Sequence, residues 1–392
     1  MSVGALTPTF LFEVERRLRN IEEFEFARML TSRVLWWNKV ARVSDIAGKS
    51  DRVTWFLSSA NIRQVTPADG SFINAGDITF EQLVTQTAEY FPALHTDGFK
   101  ISKFEVMALD GTGLDALKTM MGMWGALSAY YPQRLMAQIL LNGAATDGSA
   151  NAYDGVPFFI GNTTSTPFPT VNGHPVNPYF TGYGGYATRM TGSSSGSYPG
   201  PLPIDDTQTF DVAVENLSKF IAYIAGIAMP NGQDPRMLQA AHILHPPRMK
   251  LRVQQLTKAK FFAAASSGSG GGTQDMADGV ATLFDNAAGW PLEAMELAAA
   301  RTYTFKAANG ASKTVSGSDT NYYIATTENM TTQLGGLLLT MFQPFKTNFY
   351  SGDAGGSLGL DAVLDRSNDL EYHHQGVLAA NYGHPYGLFQ GT

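Results

Sequence analysis

Apolar residues recur at intervals of three and four near the start of the chain, at Phe10, Val14, Leu18, Ile21 and Phe24. That is the period of one helix face. Thr7-Pro8 supplies a hydroxyl cap and a first-turn proline, so the spacing predicts an amphipathic helix from that point. Its other face carries Glu13 before Arg17 and Glu15 before Arg19, i to i+4 pairs that contribute only about 0.2 to 0.5 kcal/mol each and mark a solvated face. From Asp51 to Ala108 the period shortens to two. Val53, Trp55 and Leu57 alternate with Arg52, Thr54 and Phe56, and Phe104, Val106 and Ala108 alternate with Lys103 and Glu105. With the turn-rich TPADGSFINAGD and HTDG between them, this predicts an elongated hairpin-like excursion rather than a compact domain.

Helical periodicity returns from Gly113 to Asn142, with Leu114, Leu117, Met121, Trp124, Ser128, Tyr131, Leu135 and Ile139 in one stripe and Asn142-Gly143 as the stop. Unbroken, such a helix is about 45 Å long at 1.5 Å per residue. Pro132 is expected to kink it or to start a second helix, because proline lacks the N–H and clashes with the preceding turn. The segment 161–203, rich in Gly, Ser, Thr, Pro and Tyr, reads as an insertion. After it come a helix over 210–226, an apolar strand and helix in LQAAHILHPPRMKLRVQQL, and a linker in SSGSGGGTQD. Strands follow in WPLEAMELAA, RTYTFKA and NYYIATT, and the chain then runs through GLLLTMFQ to a final strand in EYHHQGVLAA. The fold class is α+β.

Composition changes this picture in one respect. Of the 392 residues only 16% are charged while 44% are hydrophobic and 11% aromatic, against about 25% charged in an average soluble domain. Much uncharged surface must therefore be covered, and other subunits are one way to cover it. A net charge of −7 offers no basic footprint for reading nucleic acid and no cationic face for a membrane. With no cysteine, disulfides, thiolate metal sites and cysteine nucleophiles are all excluded. The first twenty residues have no signal-peptide pattern, and no apolar run is long enough to span a bilayer.

Candidate chemistry is sparse. Gly111-Thr112-Gly113-Leu114-Asp115-Ala116 matches the dinucleotide-binding spacing. The strand before it, however, carries Lys103 and Glu105, and Tyr131 and Pro132 stand about where a second strand with a ribose-binding acid belongs. His373 and His374 are neighbours on a predicted strand and so point to opposite faces. His242 and His245 likewise diverge, and His384 lies beyond a turn, so packed or surface histidines are expected rather than a metal site. Asp205-Asp206 and Glu22-Glu23 read as solvated carboxylates. No nucleophile elbow or phosphate-binding loop is present. No catalytic residue, cofactor or metal is expected. Trp36, Trp37, Trp55 and Phe56 fall where little local core can be assembled, which makes them candidates for a subunit interface; a local mini-core is the alternative.

Three segments taken together resemble the Mu-type phage major head subunit: Tyr131-Pro132-Gln133-Arg134-Leu135 through Leu141-Asn142-Gly143, then Tyr153-Asp154-Gly155-Val156-Pro157-Phe158-Phe159, then His174-Pro175-Val176-Asn177-Pro178. Ile243-Leu244-His245-Pro246-Pro247-Arg248-Met249 resembles the strand-Pro-Pro-helix element of tailed-phage coat proteins, and Gly383 to Gln390 resembles their C-terminal strand end. The order of elements is similar to that of the Hong Kong 97 capsid fold. The resemblance implies an N-terminal arm over 1–48, an extended E-loop over 49–100 and a peripheral domain with a spine helix over 101–160. It implies an axial domain over 161–345, carrying the Gly/Ser/Tyr-rich insertion, and a return to the peripheral domain over 346–392. It further implies a major capsid protein, assembled in the bacterial host cytoplasm into hexamers and pentamers of an icosahedral shell. Such a shell encloses double-stranded DNA without sequence-specific contact and works with portal, scaffold and decoration proteins; here scaffolding is expected from a separate protein. A non-viral self-assembling or surface-array protein, or a nucleotide- or metal-dependent enzyme, is the competing expectation.

Overall fold

The structure, a computed structural model, describes residues 8–31, 35–56, 85–102, 111–145, 147–152, 157–159, 170–171, 174–175, 189–190, 202–225, 238–258, 292–293, 302–307, 310–328, 335–349, 369–384 and 387–391. The predicted strand around 104–108, the linker near 270 and most of the 161–203 insertion lie outside these residues. Five helices are described: α1 (Pro8–Leu30), α2 (Trp37–Val40), α3 (Gly111–Asn142), α4 (Phe210–Ala225) and α5 (Lys250–Lys258).

The strands before the insertion are β1 (Ala41–Asp45), β2 (Asp51–Phe56), β3 (Thr85–Tyr90) and β4 (Ala93–Ser102). Short strands follow at β5 (Thr170–Val171), β6 (His174–Pro175) and β7 (Arg189–Met190), then β8 (Leu238–His245) and β9 (Leu292–Glu293). The chain ends through β10 (Thr302–Lys306), β11 (Ser312–Ser316), β12 (Tyr322–Glu328), β13 (Leu337–Phe349), β14 (Asp369–Tyr382) and β15 (Leu388–Gly391).

A four-stranded sheet has the order β1-β13-β14-β4, with β1 parallel to β13 and the other pairs antiparallel. Its strands come from both ends of the chain: Ala41 pairs with Leu337, and Leu378 with Ala93. A second sheet has the order β7-β15-β12-β8-β9. The predicted excursion is present at its base as the antiparallel ribbon β2–β3, in register from Asp51 and Tyr90 to Phe56 and Thr85.

The second sheet is apolar on both faces, so successive residues of β12 are buried on opposite sides. Tyr322 and Ile324 enter one core, with Ala213, Leu217 and Phe220 of α4 and Val253 and Leu256 of α5. Their neighbours Tyr323 and Ala325 enter another, with Trp36, Trp37, Met136, Leu140, Phe158, Phe159, Leu339, Leu378 and Tyr382. Ile243 and Leu244, and Phe389 and Leu388, divide between the two cores in the same way, as the two-residue strand period requires. Where the chain passes between the sheets, the N–H groups of Gly383 and His384 donate to the carbonyls of Gly336 and Gly335 at 3.0 and 2.8 Å. A Cβ on Gly383 would lie 2.0 Å from the Gly335 oxygen, so only glycine lets these backbones meet.

Two expectations are corrected. Helix α3 continues through Pro132, so no second helix starts there. The ring is buried, and because proline lacks an N–H the Ser128 carbonyl loses its helical donor. Helix α1 exists as expected, but its inward face is rotated. Leu18 is buried, whereas Phe24 stands 66% exposed and Glu22 only 7%. The cause lies in α3: a Cβ on Gly125 would sit 2.2 Å from the Glu22 carbonyl oxygen, so the two helices touch backbone to side at that point and the Glu22 side of α1 must face in.

Candidate functional site

His373 and His374 are adjacent on β14 and turn to opposite faces, His374 buried and His373 half-buried. The ring of His374 lies between Trp124 and Phe345, with centroids 5.2 Å from each and interplanar angles of 18° and 11°. Its Nε2 is 2.6 Å from Ser128 Oγ. Its Nδ1 faces Thr347 Oγ1 at 2.9 Å and Glu22 Oε1 at 3.2 Å. Across the sheet, His374 is in register with Asp97, whose Oδ2 accepts the Trp124 Nε1–H at 3.0 Å.

Serine, histidine and a carboxylate in line have the outline of a nucleophile, base and orienting acid. The details forbid that use. The Ser128 hydroxyl donates to the Trp124 carbonyl at 2.7 Å, so its oxygen receives the Nε2–H instead of giving up a proton. All three side chains are buried and both ring faces are covered. What the cluster does is clasp α1, α3, β13 and β14 together. Sequence reading placed Glu22 on a solvated face and had no signal for Ser128 or Thr347, because the partner they share, His374, is 246 positions from Ser128 and 27 from Thr347.

Two more histidines are also engaged. The Nε2–H of His95 donates to the Leu378 carbonyl at 3.1 Å, and its Nδ1 accepts the Tyr131 hydroxyl at 2.9 Å. Burial pushes the His95 pKa down and the Tyr131 pKa up from their ordinary values. His245 is fully buried, with Nδ1–H donating to the Pro246 carbonyl at 2.9 Å. Among the described residues, no group of three histidine or acidic side chains is placed to hold a metal, and no helix is long and apolar enough to cross a membrane. Gly111 and Gly113 form the first turn of α3; the strand expected before them is outside the described residues.

The tryptophans correct a further expectation. Trp36 and Trp37 do not present themselves to another chain: they are 0% and 7% exposed and belong to the chain's own core. The Trp36 backbone N–H donates to Gln133 Oε1 at 2.8 Å and Trp37 Nε1–H to the Ala129 carbonyl at 3.1 Å. They fasten the α2 corner to α3, which is the local-core alternative. Trp55 and Phe56 pair through their backbones with Gln86 and Thr85; their side chains are outside the described residues.

Exposed apolar surface is found elsewhere. Ala116, Met123 and Leu127 lie at helical spacing on an uncovered flank of α3, with Met123 58% and Leu127 51% exposed and Met120 half-buried between them. On the four-stranded sheet, Leu94 is exposed opposite Val377, on the face away from core residue Leu378, and Phe342 is exposed at the bulge of β13. Phe91 and Phe24 are exposed as well. Residues of this size, gathered on a helix flank and a sheet face, mark contact surfaces rather than a pocket for a small molecule.

No family model matches the chain, and no curated protein matches it in sequence. Among solved structures, the virus-like particle from Pyrococcus furiosus is similar at 9% identity and a TM-score of 0.43, over 96% of this chain and 98% of that one. The capsid of cyanophage P-SCSP1u is similar at 12% identity and a TM-score of 0.46, over 91% and 86% of the two chains. The cyanophage Pam1 capsid is similar at 13% identity and 0.46, over 90% and 87%.

Proposed function

We propose that this chain is a major capsid protein of the Hong Kong 97 fold, of the kind found in Mu-type phage heads, that self-assembles into an icosahedral shell. The observation that carries the reading is the placement of exposed apolar side chains. Such side chains occur on the uncovered flank of α3 and on the outer face of the four-stranded sheet, and singly on α1, α4 and α5, while the constellation of Ser128, His374 and Glu22 is sealed inside the chain. A subunit that must meet neighbours on several sides needs such faces, and linked contacts of modest strength suffice because each acts at high effective concentration.

On this reading α1 belongs to the N-terminal arm and the β2–β3 ribbon to the base of an extended E-loop. Helix α3 against the four-stranded sheet is the spine helix of a peripheral domain, and the second sheet with α4 and α5 is the axial domain. Hexamers and pentamers tile the shell in the virion, after assembly in the host cytoplasm, with portal and scaffold proteins as partners and the DNA enclosed without sequence-specific contact.

The test is to place a charge on each face in turn, Leu127→Asp and Leu94→Asp, and to follow particle formation by sedimentation. Monomeric variants that keep the wild-type circular dichroism and melting behaviour support the reading. Variants that assemble as wild type does remove these faces from it.

A further inference from the structure

We infer that Tyr131 and His95 form a redox-active pair, in which a one-electron oxidant takes an electron from the Tyr131 phenol while its proton passes to His95 Nδ1. The hydrogen bonds set the direction. The Leu378 carbonyl only accepts, so its bond at 3.1 Å places a hydrogen on His95 Nε2, and in the neutral ring Nδ1 is then a lone pair facing the Tyr131 hydroxyl at 2.9 Å. Burial favours this starting state at both ends: it lowers the His95 pKa and raises that of Tyr131, so near neutral pH the ring is uncharged and the phenol keeps its proton. Both side chains are half-buried, so a small oxidant in solution reaches them. Tyr90, Tyr322 and Tyr382 offer a contrast. Their hydroxyls donate to the carbonyls of Tyr382, Leu202 and Ile139, and a carbonyl does not take up a proton at ordinary acidity, whereas an imidazole does.

A row of rings leads to the pair from Trp124, seven residues earlier on α3 and so about 10.5 Å away along the helix axis. Trp124 stacks on His374 with centroids 5.2 Å apart, His374 stacks on Phe345 at 5.2 Å, and Phe345 meets Tyr131 edge-on at 5.3 Å. Tyr131 is in turn 5.0 Å from the His95 ring. With no cysteine in the chain, tryptophan and tyrosine are among its most readily oxidised side chains. An electron lost from Trp124 is replaced from Tyr131, because the phenol sheds its proton along a bond already made.

An oxygen-centred radical in solution gains the electron and becomes its anion. The Tyr131 O–H bond breaks, the proton forms the Nδ1–H bond of a His95 imidazolium, and the Nε2–H stays on the Leu378 carbonyl. What remains is a neutral tyrosyl radical beside that cation. A small reductant such as ascorbate returns one electron and the proton goes back to the phenol. The pair thus collects oxidising equivalents and discharges them without a lasting change to the chain.

The test is flash oxidation of the full chain by photogenerated tris-bipyridine ruthenium(III), with persulfate as the sacrificial acceptor, followed by transient absorption and electron paramagnetic resonance. A tyrosyl radical that forms more slowly in D2O than in H2O is expected. Tyr131→Phe, which keeps the ring against Phe345, should remove most of that signal. His95→Gln, which keeps an acceptor for the hydroxyl but no base, should slow its appearance severalfold and abolish the D2O effect, a readout that a loss of packing alone would not move. In the wild type, spin-trap adducts located by peptide mass mapping should fall on Tyr131. Adducts on other tyrosines with Tyr131 unmarked, an unchanged signal in Tyr131→Phe, or an unchanged rate and isotope effect in His95→Gln overturns the pair. Should either variant fail to fold, the adduct map of the wild type decides alone.

Discussion

Replacing Gly125 by alanine sets two physical effects of opposite sign against each other. On helix propensity alone, Gly→Ala in a helix interior stabilises by about 0.8 to 1 kcal/mol. At Gly125, however, the new Cβ would lie 2.2 Å from the Glu22 carbonyl oxygen and 2.9 Å from its carbonyl carbon. These are backbone atoms and cannot rotate away, so α1 must shift bodily. Such overpacking costs typically 1 to 3 kcal/mol, and the shift also lengthens the contact between Glu22 and His374. The net expectation for Gly125→Ala is a destabilisation of up to about 2 kcal/mol.

Gly122, one turn earlier on the same helix, is the internal control. Its Cβ would meet Glu25 Cγ at 3.5 Å and Ile21 Cγ2 at 3.7 Å, ordinary contacts, so Gly122→Ala should stabilise by up to about 1 kcal/mol from propensity alone. Urea unfolding of both variants, at protein concentrations below any assembly, gives the two midpoints. Opposite shifts support the close approach of α1 and α3. A stabilised Gly125→Ala would refute it, since no helix in contact at that point could accept the methyl group.

Two further outcomes are expected. Tyr382→Phe removes a buried hydroxyl that donates to the Ile139 carbonyl at 2.8 Å and is also bonded to the Asn142 side chain; a loss of about 1 to 2 kcal/mol should appear in urea unfolding, with the stack on Phe158 retained. Burial holds the His95 pKa below its unfolded value, so the unfolded state binds the proton more readily. His95 therefore contributes stability above the ordinary histidine range that is lost as the pH falls through it. His95→Gln should flatten this part of the stability profile between about pH 7 and 5, with a lower but less pH-dependent midpoint.

Local periodicity carried the helices and the ribbon: the start of α1, the start and stop of α3, the Asp51–Phe56 strand and the strand-Pro-Pro-helix at Pro246-Pro247 are all visible in spacing and turn residues. What spacing could not carry was the face each element buries. The apolar stripe of α1 reads Leu18, Ile21, Phe24, but the helix turns Glu22 inward, because a glycine a hundred positions away opens the approach and a histidine near the chain's end supplies the partner. Trp36 and Trp37 read as surface for the same reason. Their covering residues, Gln133, Ala129 and the strand carrying Leu337 and Leu339, are remote in sequence. The parallel pairing of β1 with β13 is of this kind too, a contact no local pattern encodes. The polar cluster at His374 was missed because its members stand singly in four distant elements, whereas the adjacent histidines that drew notice face apart.

The central claim is that copies of this chain meet one another to build a shell. Its most direct test is to express the chain, purify it, and follow it by analytical ultracentrifugation with negative-stain electron microscopy over rising concentration and with added scaffold protein. Closed particles, capsomer rings or curved sheets are the predicted result. A monomer or dimer that persists under every one of these conditions would contradict it.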